Sequence, residues 1–132
     1  MFHHDQTASG WTLLEPGFQP LPSILLPGDL EFIKFLTGAE TSIDGEELVL
    51  RARGELNADN GQQLAELMLN NRQVIPAYLT GQLLIFPKTI WLDQQNRRRV
   101  ACLNLMGGKC EFSYDLLNAR FSAYYLLVRL VR

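Results

Sequence analysis

The residues best suited to chemistry are concentrated between Arg97 and Tyr114, in the stretch RRRVACLNLMGGKCEFSY. This stretch holds three arginines, two cysteines and a Gly-Gly-Lys sequence. Such residues could cradle a phosphate, hold a redox or metal centre, or build a β-hairpin. The outcome depends on which side of a strand each side chain occupies.

The Gly-Gly-Lys sequence does not match a phosphate-binding loop. A P-loop needs the pattern G-x-x-x-x-G-K-[ST] between a strand and a helix. Leu103 stands where the first glycine belongs, Cys110 replaces the hydroxyl residue, and a strand pattern follows. The sequence therefore predicts a turn at Gly107-Gly108.

A two-residue turn at Gly107-Gly108 pairs Met106 with Lys109 and fixes the register of its two strands. Counting outward places six residues on one apolar face: Leu105 opposite Cys110, Leu103 opposite Phe112, and Ala101 opposite Tyr114. A slip of one residue would mix apolar and polar side chains on both faces, so the pattern favours this register.

The two cysteines fall on opposite faces in this register, so Cys102 and Cys110 should not form a disulfide. No histidine follows His4, which removes Ser-His-Asp and Cys-His schemes and histidine-based metal sites from the rest of the chain. We expect no metal, no cofactor and no catalytic site, and hence no enzyme.

A second hairpin is predicted around Asp93-Asn96. Counting across it places Leu92 opposite Arg97, Ile90 near Arg99 and Phe86 opposite Leu103. The predicted core face of the three strands is then Leu84, Phe86, Ile90, Ala101, Leu103, Leu105, Cys110, Phe112 and Tyr114. Arg98 neighbours Trp91 in this register, where a guanidinium can stack on an indole.

Two helices and one further hairpin are predicted before these strands. Asp29 and Gly38 suit the two ends of a helix over residues 29–37 that is apolar on nearly all sides. Asp44-Gly45 indicates a hairpin turn, followed by the alternating strand Leu48–Ala52. The apolar stripe after Asp59 predicts a second helix over residues 59–72.

The predicted fold class is α+β, a mainly antiparallel sheet of about five to six strands with two helices packed on it. Residues 1–28 form an irregular arm, rich in proline and apolar residues, and residues 29–132 form a single domain. The length of 132 residues suffices for one core.

The composition sets limits on the partners and the compartment. The net charge of −2 argues against nucleic acid as a partner. Neither a signal peptide nor an apolar run of about 20 residues is visible, so we expect no membrane partner. With only two cysteines, the cytoplasm is the expected location.

The second face of the sheet is more apolar than a solvated face should be. The N-terminal arm, a helix or another protein could cover it. Trp, Tyr, Met and Arg are enriched at protein interfaces. The predicted partner-binding residues are Trp91, Arg98, Val100, Met106, Tyr124 and Leu126.

The primary functional hypothesis is a non-enzymatic protein-binding module, such as an adaptor, assembly factor or chaperone-like accessory protein. It would bind a segment of a larger partner through an apolar groove or an exposed strand edge. A homodimer through the same surface would give the same sequence pattern. The alternatives are a small-molecule-binding protein or enzyme with a pocket between helix and sheet, and an RNA-binding module using Arg97–Arg99.

Overall fold

The computed structural model describes residues 2–131, which fold into two α-helices and eight β-strands. The strands are β1 Thr12–Glu15, β2 Leu30–Ile33, β3 Ser42–Asp44, β4 Leu83–Leu92, β5 Arg98–Asn104, β6 Glu111–Leu116, β7 Arg120–Ser122 and β8 Tyr125–Leu130. The helices are α1 Gly45–Arg53 and α2 Gln62–Leu69. The predicted α+β class is confirmed.

Six strands form the main sheet, in the order β2-β8-β4-β5-β6, and β1 pairs with the second half of β4. β4 and β8 run parallel, whereas the other pairs in this sheet are antiparallel. The sheet is therefore mixed and not purely antiparallel. β3 and β7 form a separate two-stranded ribbon.

Each face of the main sheet has its own apolar core. α2 packs on one face, where Leu64, Ala65 and Met68 are fully buried. α1 and the β3-β7 ribbon cover the other face through Leu48, Ala52 and Phe121. The apolar second face noted in the sequence is therefore covered largely by the chain itself.

The predicted helix over residues 29–37 is wrong, because Leu30–Ile33 is the strand β2 and pairs with β8. Leu30 and Phe32 contact the α2-side core, and Ile33 contacts the α1-side core. A strand covered on both faces is apolar on all sides, as a buried helix also is. Asp29 does not cap a helix; its carboxylate accepts the Leu26 N–H at 2.7 Å.

The predicted hairpin at Asp44-Gly45 and the strand after it are also wrong, because this segment is α1. Asp44 is the N-cap residue, and its Oδ1 accepts the Glu47 N–H at 2.9 Å. Leu48, Val49 and Ala52 then share the buried side of a helix. Asp-Gly marks a helix start as well as a turn, and the tertiary contacts favour the helix.

The second helix is confirmed with narrower bounds than residues 59–72. α2 spans Gln62–Leu69, and a one-turn 3-10 helix follows at Arg72–Val74. Asp59, the first residue of the predicted helix, does not cap α2. Instead, Thr89 Oγ1 accepts the Gln62 N–H at 2.9 Å, so the sheet supplies the first bond at this helix end.

The Gly107-Gly108 hairpin is confirmed together with its register. Lys109 N–H donates to the Met106 carbonyl at 3.1 Å. Both glycines have positive φ, as a type I′ turn requires. The pairs Ala101–Tyr114 and Leu103–Phe112 match the count made from sequence.

The Asp93–Asn96 turn is present, but the register predicted across it is wrong. Leu92 pairs with Arg98, and a bulge between Phe86 and Ile90 shifts the remaining pairs so that Phe86 pairs with Ala101. The bulge also moves the residues after it to the opposite face of the sheet, so Ile90 belongs to the core on the α1 side. Pro87 lies within the bulge. Proline has no N–H to donate to a neighbouring strand, and none is needed at this position.

Candidate functional site

The predicted partner-binding residues do not form one surface. Trp91, Val100 and Leu126 are buried within the chain, at 1%, 0% and 6% exposure. Met106 lies exposed beside the Gly107-Gly108 turn, and Tyr124 is exposed just before β8. The buried three are therefore core residues in this fold, and the other side chains lie at separate places.

The three consecutive arginines are held by carboxylates. Arg97 and Arg99 both pair with Asp93, at 3.0 and 2.9 Å, and Arg98 pairs with Glu46. The predicted stacking of Arg98 on Trp91 is not observed. A different pair stacks instead: the Cζ of Arg99 lies 5.6 Å from the centre of the Trp11 ring. These ion pairs offset the basic charge that an RNA contact would use.

Asp93 is the acidic centre of this cluster and is 5% exposed. Burial disfavours its charged form, but hydrogen bonds from the Arg97 N–H, the Arg99 guanidinium and the Gln95 N–H outweigh that effect and lower the pKa of Asp93 to about 2. All of these bonds lie within one turn and its flanking strand. The cluster therefore stabilises the hairpin and needs no ligand to explain it.

Both cysteines are free and buried, and they lie in different cores. Burial raises the pKa of the Cys102 thiol, and the negative charge of Asp115 adds to that rise. Residues 2–131 contain no group of three or more His, Cys, Asp or Glu side chains able to hold a metal ion. Within the same residues, no helix has the length and apolar character needed to cross a bilayer.

The N-terminal arm lies against α2 and the sheet through a buried polar network. Glu66 accepts the backbone N–H groups of His3 and His4 at 3.0 and 2.7 Å. Gln62 Nε2 donates to the His4 carbonyl at 2.8 Å, and its Oε1 accepts the Trp91 Nε1–H at 2.8 Å. These polar side chains have partners within the chain, so the network is a docking contact for the arm.

The exposed edge of the sheet at β2 is the best candidate site. Val131 N–H donates to the Asp29 carbonyl at 2.9 Å. Because antiparallel residues alternate in the direction of their backbone groups, Glu31 and Ile33 also bond toward β8. Leu30 and Phe32 therefore point their N–H and C=O groups outward, and β2 is the last strand on that side of the sheet.

A groove of about 510 Å³ runs beside this edge. β2 forms one wall through Leu30, Glu31, Phe32 and Ile33. The segment after α2 forms the other wall, with Val74, Pro76 and Tyr78. An extended chain that paired with β2 would thus find an apolar surface for its side chains along the same edge.

One exposed aromatic side chain lines the groove, and further exposed apolar side chains lie close to β2 in the chain or in its hydrogen bonds. Tyr78 is 79% exposed, and Ile24 and Leu26, which precede β2 in the chain, are 63% and 52% exposed. Val131, whose N–H bonds to Asp29 beside β2, is 47% exposed. An exposed aromatic side chain beside an open strand edge is typical of an interaction site.

The prediction from sequence missed this site because it placed residues 29–37 in a helix. The alternation Leu30-Glu31-Phe32 and the Pro27-Gly28 break before it were the available strand signals. Tyr78, between Pro76 and Gly81, was the sign of an exposed turn. Comparisons with protein-family models, curated proteins and solved structures found no match to this chain.

Proposed function

We propose that this chain is a non-enzymatic protein-binding module that takes up an extended segment of a larger partner by strand addition at β2. The observation that carries the proposal is the set of outward backbone groups on Leu30 and Phe32 beside an apolar groove. A bound segment would hydrogen-bond to these groups and place alternate side chains against Pro76 and Tyr78. An adaptor, assembly factor or chaperone-like accessory protein would use such a site.

The space between α2 and the sheet, where a small ligand could otherwise bind, is filled by side chains. Leu64, Ala65 and Met68 of α2 have no exposed surface. This packing favours strand addition over the small-molecule alternative. The two free thiols suit a reducing compartment, so we propose the cytoplasm as the place of action.

The test begins with peptides selected from a random library against the intact protein. A selected peptide is then measured against Phe32→Pro and Phe32→Ala. Both variants lose the aromatic ring, but only proline removes the outward N–H. Since one net hydrogen bond contributes about 1 kcal/mol, we expect Phe32→Pro to bind roughly fivefold more weakly than Phe32→Ala.

Amide hydrogen exchange supplies the positional control. The outward Phe32 amide should exchange rapidly in the free protein and slowly with peptide bound, whereas the Glu31 amide, bonded toward β8, should be protected in both. Equal affinity of the two Phe32 variants, or protection confined to another region, would contradict the proposal. Concentration-dependent protection of Phe32 without peptide would identify a second copy of this chain as the occupant.

A further inference from the structure

A second, smaller concavity lies on the other side of Pro76 from the β2 groove. It is about 120 Å³ in volume and lies between the segment after α2 and the Gly107-Gly108 hairpin. Its lining includes Arg72, Pro76, Thr80, Lys109 and Cys110. We refer to it as the Arg72 pocket.

The Arg72 pocket is lined by two cations and no carboxylate. Carboxylates pair with most of the other arginines in residues 2–131, namely Arg51, Arg53, Arg97, Arg98, Arg99 and Arg129. Neither Arg72 nor Lys109 has such a partner in that part of the chain. Their charges are thus left without compensation at one concave place.

Arg72 is partly fixed in position by its own hydrogen bond. Its Nη2 donates to the Cys110 carbonyl at 3.3 Å, which ties the segment after α2 to the hairpin. That bond uses one of five guanidinium N–H groups, so several donors remain for a ligand. Guanidinium and ammonium groups form their strongest hydrogen bonds with oxyanions.

We propose that the Arg72 pocket binds a compact oxyanion, a phosphate or carboxylate group, between Arg72 and Lys109. The volume is well below the roughly 300 Å³ at which pockets for drug-sized ligands begin, so the pocket suits a single anionic group. This inference stands apart from strand addition at β2, since none of the β2 residues lines the pocket.

The test is a titration of the intact protein with inorganic phosphate, followed by ¹⁵N–¹H correlation spectra at constant ionic strength. A parallel titration with acetate distinguishes phosphate from carboxylate. We expect saturable shifts at Thr80, Lys109 and Cys110. Loss of one charged hydrogen-bond partner should weaken binding about tenfold in Lys109→Gln, and Arg72→Gln/Lys109→Gln should abolish it.

Lys34→Gln is the matched control, because Lys34 is an exposed cation outside the pocket. It should bind as the parent protein does. Lys109 lies exposed beside a turn, so Lys109→Gln keeps the test valid even if the double variant does not fold. Linear shifts without saturation for both anions, or equal affinity of Lys109→Gln and Lys34→Gln, would overturn the proposal.

Discussion

At the scale of single residues, two carboxylates, Glu40 and Asp93, hold the side chains of several arginines in place. Glu40 accepts two hydrogen bonds from the Arg51 guanidinium, both at 2.7 Å, and these lower the pKa of Glu40 to about 2. Asp93 likewise accepts hydrogen bonds from the guanidinium groups of Arg97 and Arg99. Both carboxylates are therefore ionised in the folded protein at pH values where an unfolded chain would begin to bind protons.

This difference predicts an acid-sensitive stability. The pKa of Asp93 falls from an ordinary 3.8 to about 2 on folding, so its contribution is complete above pH 3.8 and is lost as the pH drops toward 2. We expect Asp93→Asn to lower stability at neutral pH and to reduce the slope of stability against pH below 3.8. Urea unfolding at several pH values measures both effects.

Glu40→Gln is the natural comparison for Asp93→Asn. The pKa of Glu40 falls from 4.5 to about 2 on folding, so the stability that its charge contributes begins to decrease at a higher pH than that of Asp93. Each single variant should retain the part of the slope of stability against pH that comes from the other carboxylate. An unchanged pH slope in Asp93→Asn would contradict the assignment.

The cysteine side chains show what can be predicted at this scale. Strand parity alone placed Cys102 and Cys110 on opposite faces, and they do lie in different cores. Parity failed for Trp91 because the bulge between Phe86 and Ile90 changes the side of every residue after it. Individual positions are therefore predictable only as far as the nearest irregularity in the strand.

At the scale of elements, α1 depends on Asp44, the residue immediately before it. Asp44 ends the strand β3 and caps the helix that follows, so one side chain marks the change of structure. The Asp44 carboxylate satisfies the Glu47 N–H, one of the donors that a helix end leaves open. Glu46 and Glu47 in the first turn also suit the positive end of the helix dipole.

We expect Asp44→Ala to destabilise the protein by about 1 kcal/mol, the usual cost of losing an N-cap side chain. Asp44→Asn is the control, since asparagine caps nearly as well and should retain most of the stability. Chemical denaturation of the two variants side by side measures the difference. Equal losses in both would mean that the negative charge, and not the cap, is the important feature.

The elements differ in how far the sequence reveals them. The Gly107-Gly108 hairpin is predictable because its turn type and the alternation of its strands are local properties. β2 is not, because its apolar character on both sides arises from two separate cores. The bulge in β4 depends on distant groups: Lys88 N–H donates to the Asn60 carbonyl, and Thr89 Oγ1 to the Pro16 carbonyl.

At the scale of the whole molecule, Gln62 joins the arm, α2 and the sheet. It is fully buried. Its side chain contacts His4, Trp91 and the hydroxyl of Tyr114. Burial raises the pKa of Tyr114 to about 12, which keeps that hydroxyl protonated and able to donate to the His4 carbonyl. The proposed division at residue 28 between arm and domain stays a prediction.

Replacing Gln62 with leucine should lower the free energy of unfolding by about 1–3 kcal/mol, because the buried Trp91 N–H loses its acceptor. The arm should also loosen, which hydrogen exchange at His3 and His4 would report. Gln63→Leu is the control: Gln63 is half-buried on the same helix, and its side chain accepts the Gln19 N–H from the arm. A loss no larger than that of Gln63→Leu would remove Gln62 from this central role.

The order of the strands also governs how the chain can fold. β8 lies between β2 and β4 in the sheet, yet it follows every other element along the chain. During synthesis, β2 therefore has no neighbouring strand until residues 125–130 leave the ribosome. Leu30, for example, pairs with Leu130. Contacts of such long sequence separation slow folding. A nascent chain of this protein thus carries an unpaired strand edge at β2 for most of its synthesis, and a second one at β4 once residues 83–92 have been made. Unpaired strand edges of this kind favour aggregation.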